Sequence, residues 1–310
     1  MVWLKKSVLR PKKIGRIARR ESIEFHLFLL PWIIGFSLFY AGPILVSFYL
    51  SFCKYDLLSP PRFAGLENYR NFIADPLFRH SLKVTVIYSL ASVSLVLLVG
   101  LGIALLMNQR YPGILLFRAI YYMPAVMSGV SVSLIWIWMY DENFGIINHF
   151  LRLIGIRGPN WFSMEWALWA LVVMSIWTAG MYMLIYLAGL QNVPTQLYEV
   201  ATLDGAGFWR KFWHITLPMI SPVILFNVVI SFIGSFQVFT QAYVMTMGGP
   251  ANATLFYVLY LFHNAFRYLK MGYASAQAWV LLVVVMVITL VIFKTLGRWV
   301  YYEGMREGKR

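Results

Sequence analysis

Charge is what this sequence most lacks: 12% of its 310 residues are Asp, Glu, Lys or Arg, about half the ~25% of a water-soluble domain. That deficit excludes an ordinary soluble fold. Cysteine is nearly absent too, with Cys53 alone, so no intrachain disulfide forms and no cysteine metal site is suggested. No G-x-x-x-x-G-K-[ST] phosphate loop occurs; Gly304 to Lys309 comes nearest, with the wrong spacing and no Ser or Thr after the Lys. H-E-x-x-H and G-x-S-x-G are missing. Asp141 and Glu142 are the only adjacent carboxylates, with His149 the nearest histidine, so no convergent titratable site is visible. The chain reads as non-catalytic, and any fuel must be consumed elsewhere.

What is present is hydrophobic, at 60% of residues. The few charges cluster and leave stretches without any from Leu27 to Phe52, Val84 to Met107, Ala119 to Tyr140, Trp166 to Gln191, Ile215 to Met247 and Met271 to Phe293. Each is about 20 residues or longer, enough to cross a hydrocarbon core as a helix. An all-α integral membrane protein with about six transmembrane helices follows. Kinks are expected in the first span at Pro31 and Pro43.

The formal net charge of +14 raises nucleic acid as a partner, but the basic residues track topology instead. With the N-terminus inside, 17 of the 26 Lys and Arg fall on inner segments and 9 on outer ones, which orients both ends toward the cytoplasm. The basic residues from Lys5 to Arg20 precede an apolar run about twice as long as a signal h-region, so the first span reads as uncleaved. The organisation is a basic cytoplasmic segment over 1–24, a six-helix membrane domain over 25–300 and a cytoplasmic tail over 301–310. Trp161, Trp166 and Trp169 at one edge, and Trp299, Tyr301 and Tyr302 at the other, read as interfacial anchors. Leu66 to Phe78 reads as an amphipathic surface stretch.

No Asp, Glu, Lys or Arg stands at mid-membrane depth, which argues against a proton relay. An ion-coupled secondary carrier using carbonyls and hydroxyls remains the alternative, and predicts an inverted repeat with broken helices.

One inner segment, 193–218, does not read as a linker. Pro194 suits a helix first turn, residues 195–203 lack breakers, and Gly205 and Gly207 can supply the left-handed turn that ends it. A second short helix carries Phe208, Phe212 and Ile215 at i, i+4 and i+7, with Pro218 expected to mark its end. The pair forms a helix-turn-helix whose apolar stripe needs a partner.

Glu199-Val200-Ala201, Asp204-Gly205-Ala206, Phe212, Ile215 and Leu217-Pro218 resemble the EAA loop of binding-protein-dependent ABC importer permeases, with Val200 where that family usually has Ala. Further pieces resemble its carbohydrate branch, of the maltose, lactose and glycerol-3-phosphate type: Leu30-Pro31, Gly65-Leu66-Glu67-Asn68-Tyr69, Met123-Pro124, Tyr186 to Leu190, and Thr246 to Pro250. The resemblance implies a type I importer permease of the bacterial inner membrane. It implies as partners a second, related permease, two ATPase subunits that carry ATP and Mg, an extracytoplasmic solute-binding protein and a sugar, within membrane lipid. It implies ATPase coupling through Glu199, Ala201, Asp204, Gly205, Ala206, Gly207, Phe212, Ile215, Leu217 and Pro218, and no cofactor on this chain.

In the fifth span, about 100° per residue places Asn227, Ser231, Ser235, Gln237 and Gln241 in one sector, with Gly234 and Val238 between them. Polar groups at membrane depth face a bundle interior or a water-filled cavity, and sugar hydroxyls need partners that both donate and accept. These residues are the expected substrate path, with helix-helix bonding to the partner permease as the competing use.

Overall fold

A computed structural model describes residues 16–109 and 111–301. The N-terminal residues through 15, Arg110, and the tail from 302, Tyr302 included, lie outside them. Five helical runs are long and apolar enough to cross a bilayer: Glu24–Ser51, Pro76–Met107, Ala167–Gln191, Ser221–Met245 and Met271–Leu296. They match five of the six uncharged stretches. The third stretch is a correction: α5 (Ile114–Val126) and α6 (Gly129–Met139) meet at 100° across Met127 and Ser128. Pro124 withdraws a backbone donor inside α5, and Met127 then turns extended at φ −75°, ψ 150°.

The first span begins in α1 (Arg16–Phe36), passes through a π-turn at Ser37–Ala41 and continues as α2 (Gly42–Ser51). The widened turn sits just before Pro43, where the Gly42 N–H reaches the Ser37 carbonyl and room is made for the pyrrolidine ring. This span packs on α16 (Met271–Leu296), with the Phe48 ring 4.8 Å from Trp279. Most of its other apolar side chains stay exposed, Phe28 at 86% and Phe39 at 77%, as suits a helix facing lipid or another chain.

The hub is α4 (Pro76–Met107), whose buried face carries Ser81, Thr85, Ser89, Ser92 and Gly100. Small residues let helices approach where no hydrophobic force draws them together. Its first half joins a core with Trp136, Tyr140 and Phe256, its second half one with Met183, Tyr186 and Ile220. The fourth span is α8 (Ala167–Ile176) and α9 (Ala179–Gln191), joined at Trp177 and Thr178. Gly180 in α9 lies so near α5 that a Cβ would overlap the Tyr121 carbonyl.

The segments that follow the first span and precede the fourth are more built than the sequence suggests. The surface stretch becomes α3 (Glu67–Ala74), which ends at Asp75 because Pro76 opens α4. Asn68 in α3 donates to the Ser51 and Cys53 carbonyls at 2.8 and 2.9 Å. Those carbonyls flank the two-residue ladder of β1 (Cys53–Lys54) and β2 (Arg62–Phe63). A further helix, α7 (Ile146–Leu153), was not expected. Its Asn148 accepts from the Trp161 indole N–H at 2.8 Å, so Trp161 is buried rather than an interfacial anchor, while Trp166, Trp169, Trp299 and Tyr301 are exposed.

Asp75 latches three elements. One carboxylate oxygen caps α4 by accepting from the Leu77 and Phe78 N–H groups at 2.9 and 3.2 Å. The other accepts from the Tyr260 hydroxyl of α15 (Tyr257–Phe262) at 2.5 Å and the Tyr273 hydroxyl of α16 at 2.6 Å. Burial pushes the carboxyl up, but the two phenols and the helix amides outweigh it and hold Asp75 below its ordinary value.

Gly180→Val should lower stability by about 1–3 kcal/mol through overpacking, read as a fall in thermal midpoint of the detergent-purified chain. Gly102→Ala, with nothing within 4 Å, should be tolerated. Asp75→Asn should cost about 1 kcal/mol or more at neutral pH. Because folding lowers this pKa, the latch stabilises above the ordinary carboxylate value, about 3.9, and is lost as pH falls through the lower folded value. The wild-type melting curve should therefore drop at acid pH more steeply than that of Asp75→Asn.

Candidate functional site

Between the fourth and fifth spans the chain makes α10 (Thr195–Leu203), a left-handed turn and α11 (Phe208–Lys211). Gly205 sits at φ +75°, its N–H bonding the Thr202 carbonyl at 3.0 Å, while the Ala206 N–H reaches the Ala201 carbonyl at 2.8 Å. These two bonds close a Schellman cap. A Cβ at Gly205 would meet nothing within 4 Å. The backbone angle, not space, demands glycine there.

The second short helix does not end at Pro218. A π-turn, Phe212–Thr216, leads into α12 (Leu217–Met219), and a single turn residue, Ile220 at φ −89°, ψ 3°, separates it from α13 (Ser221–Phe236). The Leu217 N–H bonds the Phe212 carbonyl across five residues, as in the turn before Pro43, so the ring is accommodated without breaking the run. Two contacts tie the loop together: the Tyr198 and Thr216 hydroxyls at 2.9 Å, and the Lys211 ammonium donating to Thr202 at 2.7 Å. Neither pair was anticipated, because each joins residues that sequence periodicity assigns to different helices.

The expected stripe divides. Ile215 packs into the core with Met183 and Ile220 and Phe212 is half-buried between Phe208 and Trp213. Leu203 is 88% exposed, Trp209 68% and Phe208 63%. Val200 and Trp213 are exposed too, so both short helices carry unburied apolar or aromatic side chains. Leu217 and Pro218 are half-buried, and Gly207 opens α11 in extended backbone. Glu199 and Asp204 are exposed and without an ion pair among the described residues.

The fifth span is also not one helix. α13 stops at Phe236, Gln237 to Phe239 leave the ladder, and α14 (Thr240–Met245) resumes. A single helical wheel through Asn227 and Gln241 therefore fails. Ser231, Ser235 and Gln241 still converge, because the break carries α14 back to the same cavity. That cavity, about 160 Å³, is also lined by Tyr88, Ser92, Ser175, Thr178 and Tyr182. Gln237 is exposed outside it. Asn227 is fully buried, and neither polar atom of its amide has a hydrogen-bond partner; the Tyr186 hydroxyl is near enough to interact but misses hydrogen-bond geometry.

The cavity wall mixes hydroxyls with aromatic rings. Ser175 and Ser235 donate to carbonyls of their own helices at 2.6 and 2.9 Å and keep lone pairs for a ligand. At 160 Å³ it lies below the ~300–1,000 Å³ of an open small-molecule site. It is a waist rather than a chamber. The contributions of α4, α8 and α9 were not read from the sequence, because isolated Ser, Thr and Tyr on those spans carry no periodic signal.

Residues 96–302 match the family described as binding-protein-dependent transport system inner membrane component. The chain is 42% identical over 301 residues to a probable ABC transporter permease of Bacillus subtilis, covering 95% of this chain and 97% of that one. It is 33% identical over 283 residues to a trehalose/maltose transport system permease of Thermococcus litoralis, covering 90% and 96%. Its fold superposes on a chain of a bacterial ABC transporter involved in import of the acidic polysaccharide alginate, with a TM-score of 0.79, 24% identity, and coverage of 92% of this chain and 99% of that one. With its multi-pass helical fold, this chain belongs to the family of inner membrane components of binding-protein-dependent transport systems.

Proposed function

We propose that this chain is one permease subunit of an ATP-driven importer that passes a sugar, delivered by an extracytoplasmic binding protein, through the cavity between α4, α8, α9, α13 and α14. One observation carries the reading: exposed aromatic side chains on a capped helix-turn-helix connect through α11, a π-turn, α12 and the single turn residue Ile220 to α13, in the wall of a polar membrane cavity. A chain with no phosphate loop has no use for those exposed side chains unless a second protein, the nucleotide hydrolase, sits on them. The trehalose/maltose permease among its relatives supports sugar as the substrate class.

Leu203, Phe208, Trp209 and Trp213 would bury against the ATPase, with Glu199 and Asp204 meeting its polar or basic groups. ATP and Mg stay on that subunit. Force applied at the loop passes through the Tyr198–Thr216 contact and Ile215 into the core with Met183 and Ile220, and from there along α13 to Ser231 and Ser235. The distribution of Lys and Arg supports an inward loop with both termini cytoplasmic. The exposed first span supports a second, related permease beside this one, over two ATPase subunits. No observation favours the ion-coupled alternative.

In the reconstituted complex, Ala at Ser231, Ser235 or Gln241 should reduce sugar uptake about two- to tenfold each and leave assembly and basal ATP hydrolysis intact. Gln237→Ala, outside the cavity, should not. Loss of assembly with unchanged sugar preference would assign these residues to packing instead. Gly205→Val forces a β-branched residue into left-handed backbone, costing about 1–2 kcal/mol. Sugar-stimulated ATP hydrolysis should collapse while the binding protein still delivers sugar, and unaltered stimulation would remove the coupling role.

A further inference from the structure

The larger cavity lies elsewhere, at the outer end of the first and last spans. It measures about 770 Å³ and opens between the β1–β2 loop, α3 and the segment that leads into α16. Its floor is the Asp75 latch, with the buried amides of Asn68 and Asn264 beside it.

The cavity's acids are largely engaged. Asp75 accepts four hydrogen bonds, all that a carboxylate's lone pairs allow. Asp56 is folded onto its own loop, its Oδ1 accepting from the Leu58 and Ser59 N–H groups and the Ser59 hydroxyl, which leaves Oδ2 as the one open acid oxygen against two open cations. Among the cations, Lys54 is paired with Glu67 at 2.6 Å. Arg62 and Lys270 line the cavity and have neither an ion pair nor a side-chain hydrogen bond among the described residues. The hydroxyls of Tyr55 and Tyr268 and the Asn71 amide line it too, likewise unpaired within the described chain. The unspent groups are therefore mostly donors, two of them cationic, beside phenol rings.

We propose that this outer cavity binds an acidic saccharide, its carboxylate held by Arg62 and Lys270 and its ring faces by Tyr55 and Tyr268. A guanidinium and an ammonium match a carboxylate, and 770 Å³ lies within the ~300–1,000 Å³ of small-ligand sites. An anionic lipid offers the same charge but needs an aliphatic groove for its chains. The lining provides only Pro60, Ala74 and Leu269. The assignment deepens the sugar-importer reading and rests on it: a site at this depth would hold the ligand before it enters the narrower inner cavity.

The test uses the full chain in phosphatidylcholine nanodiscs, with trigalacturonate and neutral maltotriose as probes in titration calorimetry. Trigalacturonate should bind about tenfold or more tighter than maltotriose and weaken as salt rises toward about 0.5 M. Arg62→Gln with Lys270→Gln should weaken it about tenfold at an unchanged thermal midpoint, since neither side chain holds the fold together, and Arg62→Lys should restore part of the loss. Absence of trigalacturonate binding, or equal affinity in the double variant, overturns the proposal. So does release of co-purifying phosphatidylglycerol by the double variant with trigalacturonate affinity unchanged, which would make the cavity a lipid site. An assembled importer that moves neutral sugars yet binds no uronate sinks this assignment alone and leaves the importer reading standing.

Discussion

Inside a bilayer no water is available to satisfy a backbone N–H or C=O, so a chain can leave the helical ladder only where something else takes over the freed groups. Most features of this molecule follow from that constraint. The spans are helices because a helix satisfies its own backbone in hydrocarbon, and several departures have a local reason. The π-turns at Ser37–Ala41 and Phe212–Thr216 precede prolines and keep the ladder closed by reaching one residue further back. The break between α13 and α14 borders a polar cavity, and the joint at Thr178 lines the same space.

The same constraint decides what the sequence reveals. Charge placement marks the spans because a charge in hydrocarbon is costly whatever surrounds it, so a property of single residues located five of them with little error. The left-handed turn at Gly205 was legible for the same reason: the requirement lies in one residue's backbone. The right-angled bend at Met127 and Ser128 was not. Pro124 is compatible with a mere kink, and α5 also closes against Gly180 of α9, 59 positions beyond Tyr121, an approach that no local pattern announces.

The candidate site divides along the same line. Ser231 and Ser235, one turn apart in α13, line the cavity, whereas Gln237 falls where the ladder stops and Asn227 is buried in the core. Gln241 lines the cavity from α14, beyond the break, a position that a single helical wheel does not describe. Trp161 illustrates the converse. A tryptophan near a membrane edge is an anchor by default, and what buries it is Asn148 on a helix too short to stand out from its loop.

The π-turn at Phe212–Thr216 also acts as a phase setting. A π-turn accommodates one residue more than the α-helix it interrupts, and one residue is about 100° of rotation. The angle between the aromatic side chains of the loop and the hydroxyls of Ser231 and Ser235 is thus set by one extra residue in the π-turn together with the turn at Ile220. Shortening the run by that residue would leave every side chain in place along the sequence. Yet it would turn the two ends out of register, so drift in length should be tolerated in the outer loops and excluded here.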